Sequence, residues 1–353
     1  MAYTTIDDPS EYFHTRLYSG NNSGSGLAVT NNANSGNFQP DWVWIKRRDS
    51  AGSSGLHDSN RGSTKRLKSD ATDAEDTNSN ILASFDSNGF TIGDNSGNYN
   101  ASGTYVAWQW KANGGTTSSN DASATSVGTI DSVIQANTTA GFSIVTYTGT
   151  GSNGTIAHGL GATPQMYWVK RRSAAEHWQV YSEEIGNNKY FQITTDGEIT
   201  GSNRWNNTSP TSSVFSVGDH ASVNGSSDTY VAYCFTDIKG YSKFGSYTGN
   251  GNADGAFVYT GFKPAWLLVK RTDSANHWLM FDIKRDIINV GEKWLMADTA
   301  DAEATGIYWD GLSNGFKART NDPIINASGG TYIYMAFAEH PFVSSKGVPV
   351  TAR

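Results

Sequence analysis

QPDWVWIKRR, at residues 39–48, occurs in three related copies along the chain. The other two are TPQMYWVKRR at 163–172 and KPAWLLVKRT at 263–272. Each copy places a proline six residues before a lysine, which gives the pairs Pro40–Lys46, Pro164–Lys170 and Pro264–Lys270. In the first copy the side chains alternate between two faces, as they do in a β-strand. The stretch therefore indicates a recurring strand that ends in basic residues, and not a single binding patch.

Three further elements recur around this strand in the same order. LYSGN, TYTGTG and SYTGNG precede it, NGFTIG, SVFSVG and NGFKAR follow it, and GTYVAWQW, DTYVAYCF and GTYIYMAF end each copy. A fixed order at nearly constant spacing predicts three tandem homologous units. We place unit 1 at 1–112, unit 2 at 138–240 and unit 3 at 241–342. A Gly/Ser/Thr-rich linker is predicted at 113–137 and a C-terminal tail at 343–353.

The fold class follows from the strand and turn patterns inside each unit. TYVAYCF and TYIYMAF are apolar on both faces, as central strands are, and Asn-Gly occurs at a turn in units 1 and 3. Helix is limited to short possibilities, since the stretches 70–77 and 298–305 could each form a turn of helix or a loop. The sequence thus predicts an all-β protein of three antiparallel β-sandwich units, jelly-roll or lectin-like in type.

Composition excludes several classes of protein. The net charge of −7 argues against a nucleic-acid binder, which needs a basic surface. No apolar run approaches the length of a membrane span, so we expect no membrane insertion. The N-terminal sequence lacks the basic start and apolar run of a secretory signal, so we expect synthesis in a cytoplasm.

Catalytic and metal-binding patterns are missing from the sequence. The seven histidines show no metal-ligand spacing, and the adjacent Glu183 and Glu184 would point to opposite faces of a strand. We therefore expect no enzyme, no metal site and no cofactor. Asp58–Arg61 and Asp282–Arg285 occupy matched positions and predict ion pairs at a loop base, whereas unit 2 has Ser182 there.

Ligand binding is harder to dismiss, because several tryptophans stand beside polar residues. An aromatic ring near a basic strand end can stack on a sugar. The alternative is that two of these tryptophans begin core strands with the sequences WQVY and WLMF. The candidate ligand-binding residues are His177, Trp178, His277, Trp278, Trp205 and Trp309.

The threefold pattern YTG…HGLG…P…WVKRR…NGSSDTYVAY resembles a family of marine bacteriophage virion proteins of the structural or tail-fibre-like kind. The resemblance implies lectin-like β-sandwich units, no cofactor, and assembly in the host cytoplasm with release by lysis. It implies a non-enzymatic adhesin of a tail fibre or spike that contacts a host-surface glycan or protein. The alternative is a structural capsid-decoration or tail-assembly component with no receptor of its own.

The expected partners follow from this resemblance. They are other virion proteins and host cell-surface polysaccharide. Two assemblies stay open: a homotrimer, as is common among phage fibres, or a pseudo-threefold arrangement of the three units within one chain. The predicted flexible linker counts against the second assembly.

Overall fold

Antiparallel strands account for nearly all regular structure in the computed structural model, which describes residues 3–31, 37–94, 99–286 and 289–350. The prediction of an all-β fold is confirmed. Three single-turn α-helices and two 3-10 turns are the helical elements of the described residues. None of the described helices is long and apolar enough to cross a membrane.

Unit 1 contains one 3-10 turn at Pro9–Glu11 and nine strands. The strands are β1 (Phe13–Gly20), β2 (Leu27–Thr30), β3 (Trp42–Arg47), β4 (Gly55–Asp58), β5 (Lys65–Arg66), β6 (Asp76–Thr77), β7 (Leu82–Asp86), β8 (Gly89–Ile92) and β9 (Gly103–Trp110). They form a four-stranded sheet in the order β1-β9-β3-β4, a three-stranded sheet β2-β8-β7 and the pair β5-β6.

Unit 2 and the segment before it supply the next elements. They are β10 (Ser118–Asn120), α1 (Ala122–Thr125), β11 (Ser132–Asn137), β12 (Phe142–Thr148), β13 (Gly154–Ala157), β14 (Met166–Arg171), β15 (Gln179–Ser182), a 3-10 turn (Glu183–Ile185), β16 (Lys189–Gln192), β17 (Ile199–Thr200), β18 (Val214–Val217), α2 (Ala221–Asn224) and β19 (Thr229–Phe235). The large sheet has the order β10-β11-β12-β19-β14-β15-β16-β17, and β13 pairs with β18.

Unit 3 forms one continuous sheet of eight strands in the order β20-β27-β22-β23-β24-β25-β26-β21. Its elements are β20 (Ser242–Thr248), β21 (Phe257–Tyr259), β22 (Phe262–Arg271), β23 (Trp278–Asp282), β24 (Gly291–Met296), β25 (Ala304–Leu312), β26 (Gly315–Ala318), α3 (Pro323–Asn326) and β27 (Thr331–Pro341).

The same four-strand order occurs once in each unit: β1-β9-β3-β4, β12-β19-β14-β15 and β20-β27-β22-β23. In each, the final strand of the unit pairs with both the first strand and the strand that ends in Lys-Arg. A stacked pair of tyrosines crosses each sheet at the same place, with ring centroids 5.1, 5.0 and 4.9 Å apart. The pairs are Tyr18–Tyr105, Tyr147–Tyr230 and Tyr247–Tyr332.

The segment 113–137, predicted as a flexible linker, carries regular structure. Strand β11 pairs with β12 along its whole length, and β10 pairs with β11. Asp121 caps the N-terminus of α1, and the buried Gln135 donates to Asp41 of unit 1. The Gly/Ser/Thr composition suggested flexibility, but the open edge of β12 offers hydrogen-bond partners to this backbone.

The three large sheets turn one face towards a common core. Trp44 of unit 1 lies 5.8 Å from Trp168 of unit 2 and 6.4 Å from Trp266 of unit 3, measured between ring centroids. Trp168 lies 6.3 Å from Trp278 of unit 3. Each unit thus contacts both others, and the chain closes into a ring with approximate threefold symmetry. In units 1 and 2, separate smaller cores lie under the opposite face of the sheet.

Candidate ligand site on the central axis

A ring of buried lysines joins the three units near one end of the common core. These side chains are fully buried and follow the alternating apolar residues of β3, β14 and β22. Each ammonium group donates to a main-chain oxygen of a neighbouring unit, in one rotational sense. The contacts are Lys46 to Thr299 at 2.5 Å, Lys170 to Thr72 at 3.2 Å and Lys270 to Thr195 at 3.0 Å.

Burial determines the acid–base behaviour of this ring. Loss of hydration lowers the pKa of Lys170 and of Lys270 to about 8, although nearby carboxylates act in the opposite direction. Burial lowers the pKa of Lys46 as well, against the charges of Asp70 and Asp298. The lysines are therefore held by carbonyl oxygens inside the protein and do not form a cationic surface.

Main-chain hydrogen bonds run in both directions across every junction between units. In one direction the amides of Gly52, Glu176 and Asn276 donate over 2.6–2.8 Å to the oxygens of Ala300, Thr72 and Thr195. In the other, the amides of Glu75, Glu198 and Glu303 donate over 2.7–2.9 Å to the oxygens of Arg172, Thr272 and Arg48. The ring is therefore closed by the same short ladder three times.

Two of the three junctions add a buried ionic network. The predicted ion pairs are confirmed: Arg61 contacts Asp58 at 2.5 Å, and Arg285 contacts Asp282 at 2.6 Å. Arg61 also binds Glu75, which accepts a forked pair of hydrogen bonds from Arg172 of unit 2. Burial would raise the pKa of Glu75, but the hydrogen bond from Arg172 and the charge of Arg61 lower it.

The junction of units 3 and 1 has an ionic network in which each residue has a counterpart at the junction of units 1 and 2. Arg285 binds Glu303, and Glu303 accepts a forked pair from Arg48. At the junction of units 2 and 3, Ser182 and Thr272 stand where the other units have aspartate and arginine. The aspartate and the arginine are both absent at that junction, and the remaining Glu198 pairs with the partly exposed Lys189 of its own unit, so no unpaired charge stays buried there.

A cavity of about 230 Å³ opens beside the lysine ring, and all three units contribute to its wall. Its polar lining residues include Asp70 and Thr72 of unit 1, His177 and Thr194 of unit 2, and His277 and Asp298 of unit 3. We call it the axial cavity. Three stretches far apart in the sequence meet there because the ring closes.

Two carboxylates in the wall of the axial cavity are held by hydrogen bonds from their own units. Asp298 binds His277 Nδ1 at 2.8 Å through Oδ2 and accepts from the Trp278 amide at 3.0 Å through Oδ1. Asp70 accepts through Oδ1 from the amide and hydroxyl of Ser54. Its Oδ2 is buried and has no hydrogen-bond partner among the described residues. Buried polar atoms normally have a hydrogen-bond partner, so this oxygen is an exception in the wall of the cavity.

The structure separates the six candidate ligand residues into two groups. His177 and His277 are partly exposed and line the axial cavity. Trp178 and Trp278 are buried, and their indole nitrogens donate to main-chain oxygens of the neighbouring unit, at Lys68 and Gln192. These two tryptophans therefore belong to the junctions between units, and Trp178 also contributes to the wall of the axial cavity.

Trp205 and Trp309 are also core residues. Trp205 is fully buried, donates to the Lys189 oxygen at 2.9 Å and lies edge-on to Tyr167. Trp309 is buried against Phe281, with ring centroids 5.6 Å apart. The expectation that these indoles stack on a sugar is corrected, because packing leaves no ring face open.

Sequence reasoning missed Asp70 and Asp298, although both are the first residues of the related stretches DATDAEDT and DTADAEAT.

A comparison with models of known protein families finds a match that extends over all three units. A family model described as a domain of unknown function, DUF7483, matches residues 8–341. The chain belongs to the DUF7483 family. The matched range includes all three sheets, the lysine ring and every residue of the axial cavity, so the ring is the family's domain in this chain. The comparison with curated proteins finds no match.

Proposed function

We propose that this DUF7483 chain is a non-enzymatic bacteriophage virion protein, an adhesin of a tail fibre or spike that contacts a host-surface glycan. The observation that carries this proposal is the axial cavity, which three units build together and whose wall includes two partly exposed imidazoles, His177 and His277, beside the carboxylates of Asp70 and Asp298. Sugars donate hydroxyl hydrogens to such acceptors. The cavity is smaller than most drug-sized pockets and suits a single sugar residue at a chain end.

The rigid ring explains how the cavity keeps its geometry. Each wall segment is held by main-chain hydrogen bonds across a junction, including Glu176 to Thr72 and Asn276 to Thr195. A preformed site loses little conformational freedom when a ligand binds. One chain would then offer one axial site, and several copies on a virion would raise the overall affinity by multivalency.

Binding to host polysaccharide tests the proposal. Purified protein is titrated with surface polysaccharide from host cells, and we expect saturable binding that falls at least tenfold in a His177→Ala, His277→Ala double variant. His340→Ala is the matched control, because His340 lines a different cavity. Equal binding by all three proteins would show that the axial cavity is not the receptor site.

A second candidate function is a structural capsid-decoration or tail-assembly component without a receptor. The burial of Trp178, Trp205, Trp278 and Trp309 favours it, because the aromatic residues first expected to bind glycan instead stabilise the ring. Under this candidate, particles that lack the protein would assemble poorly but would adsorb normally once assembled. Under the adhesin proposal, such particles would assemble and fail to adsorb.

A further inference from the structure

Strand β21 ends the large sheet of unit 3 with two exposed aromatic side chains. Phe257 is 48% exposed and Tyr259 54% exposed, while Val258 between them points into the core. In the described part of the chain, β21 pairs with β26 on one side and with no strand on the other. Large exposed aromatics on a free strand edge are uncommon on a solvent-facing surface and mark an interaction site.

The other two units provide an internal comparison. Val258 faces Phe316 across the strand pair, as Ile156 faces Phe215 and Val29 faces Phe90. Strands β2, β13 and β21 therefore occupy equivalent places. The residues that flank the buried position are Ala28 and Thr30 in unit 1, Thr155 and Ala157 in unit 2, and Phe257 and Tyr259 in unit 3. Bulky aromatic residues stand at these places in unit 3 alone.

In unit 2 the equivalent edge is covered by an extended piece of the chain itself. The amides of Thr129 and Ile130 donate to the Thr155 oxygen at 2.8 and 3.1 Å, and the Thr155 amide donates to Thr129 Oγ1 at 2.9 Å. Ile130 forms a parallel bridge with Ile156. The oxygen of Phe257, the counterpart of Thr155, therefore lies on the outer edge of β21.

Close approach of this covering segment depends on a glycine. Gly128 has a φ of +80°, and a Cβ there would lie 2.8 Å from the Thr155 oxygen. The sequence Gly128-Thr129-Ile130 thus combines a small residue, a hydroxyl that accepts from the edge amide and a β-branched apolar side chain. Unit 3 has no such segment, because its first strand follows a short turn after β19.

We propose that the outer edge of β21 binds an extended polypeptide segment of a partner protein, in the parallel manner in which residues 128–130 cover β13. The partner's amides donate to the Phe257 oxygen, and an apolar side chain packs beside Val258. Phe257 covers the segment from the sheet face, beside Tyr259, whose hydroxyl lies 3.2 Å from the hydroxyl of Tyr3 in the chain's own N-terminal segment. Free strand edges bind extended peptides through main-chain hydrogen bonds, with side-chain pockets giving specificity. This surface is separate from the axial cavity and does not depend on glycan binding.

A synthetic peptide with the sequence of residues 126–131, SVGTID, is the probe. Labelled with fluorescein and titrated with the full chain, it should show saturable anisotropy. The edge of β13 is already occupied by its own segment, which leaves the edges of β2 and β21, and of these two strands only β21 carries exposed aromatic side chains. A peptide with the Ile130→Pro change lacks one donating amide and should bind at least tenfold more weakly. Equal binding of the two peptides, or no binding of either, would overturn the proposal.

Protein variants locate the binding surface. A Phe257→Ser, Tyr259→Ser double variant should lose at least tenfold in peptide affinity, while Thr30→Ser at the equivalent place in unit 1 should keep it. Both changes are at exposed positions, and circular dichroism checks that the variants keep the wild-type strand signal. Unchanged affinity in the double variant overturns the proposal. Self-association of the wild-type chain that this variant abolishes would also overturn it, since the occupant would be a second copy.

Discussion

Lys170 of unit 2 donates its ammonium group to the main-chain oxygen of Thr72 in unit 1, over 3.2 Å. The same oxygen accepts the Glu176 amide at 2.8 Å. The Thr72 carbonyl group therefore accepts hydrogen bonds from both a side chain and a main-chain amide of unit 2. Because equivalent contacts repeat around the ring, stability should depend on these junctions as much as on each sheet.

Replacing Lys170 with methionine tests the side-chain part of this contact. The flexible Met chain fills a similar volume, but two main-chain oxygens lose their ammonium donor. We expect the free energy of unfolding to fall by about 1–3 kcal/mol. Urea denaturation measures it. Lys189→Met, which breaks a partly exposed pair with Glu198, should cost less than about 1 kcal/mol. Equal losses in the two variants would argue against a special role for the lysine ring.

The pH dependence of stability follows from the lowered pKa of Lys170. Its folded-state pKa of about 8 lies below the ordinary value of 10.5. Between these values the unfolded chain holds more protons than the folded chain, so this group makes stability rise with pH. Other groups titrate in the same range, so the stability difference between wild type and Lys170→Met isolates it. We expect the free energy of unfolding of the wild type, relative to that of Lys170→Met, to increase between pH 8 and pH 10. A constant difference would contradict the assignment.

Asp58 should be among the most sensitive positions at the junction of units 1 and 2. Its side chain is fully buried and binds Arg61 and the hydroxyl of Tyr233. Asp58→Asn leaves the Arg61 guanidinium buried with one carboxylate partner fewer, and we expect a loss of about 3–5 kcal/mol. Thermal and denaturant unfolding measure the change.

Ser182→Ala is the matched control for Asp58. Ser182 occupies the equivalent place at the junction that lacks the ionic network, and its loss should cost less than about 1 kcal/mol. Similar costs for the two variants would show that the buried pair does not hold the junction.

Unit 2 expressed alone should not form a stable native domain. Residues 138–240 alone would expose Trp168, Tyr233 and Phe235, which other units cover in the ring. Burying a side chain of this size stabilises a fold by about 1.5–3 kcal/mol, so exposing three costs most of a small domain's stability. We expect no cooperative thermal transition in calorimetry, in contrast to the full chain. A sharp transition for the isolated unit would contradict the shared core.

The sequence predicted the strands because their residue alternation is local. It also predicted the pairing of Asp58 with Arg61, since three residues separate them. Trp205 was misjudged because its neighbours in NRWNNTS are polar, whereas Tyr167 and Tyr181, which bury it, are distant in sequence. Ring closure was harder to predict. The lysines bind main-chain oxygens, which every residue carries. The residue types of the partner loops therefore gave no sign in the sequence that these loops bind lysines.

The position of the chain in the intact virion tests the adhesin proposal most directly. An electron cryo-microscopy map of the phage particle would show where the ring lies and which end of its axis faces outward. We predict density for the ring at the distal end of a tail fibre or spike, with the axial cavity and His277 turned towards the host. Density in the capsid lattice, or no density in the particle, would contradict the adhesin proposal.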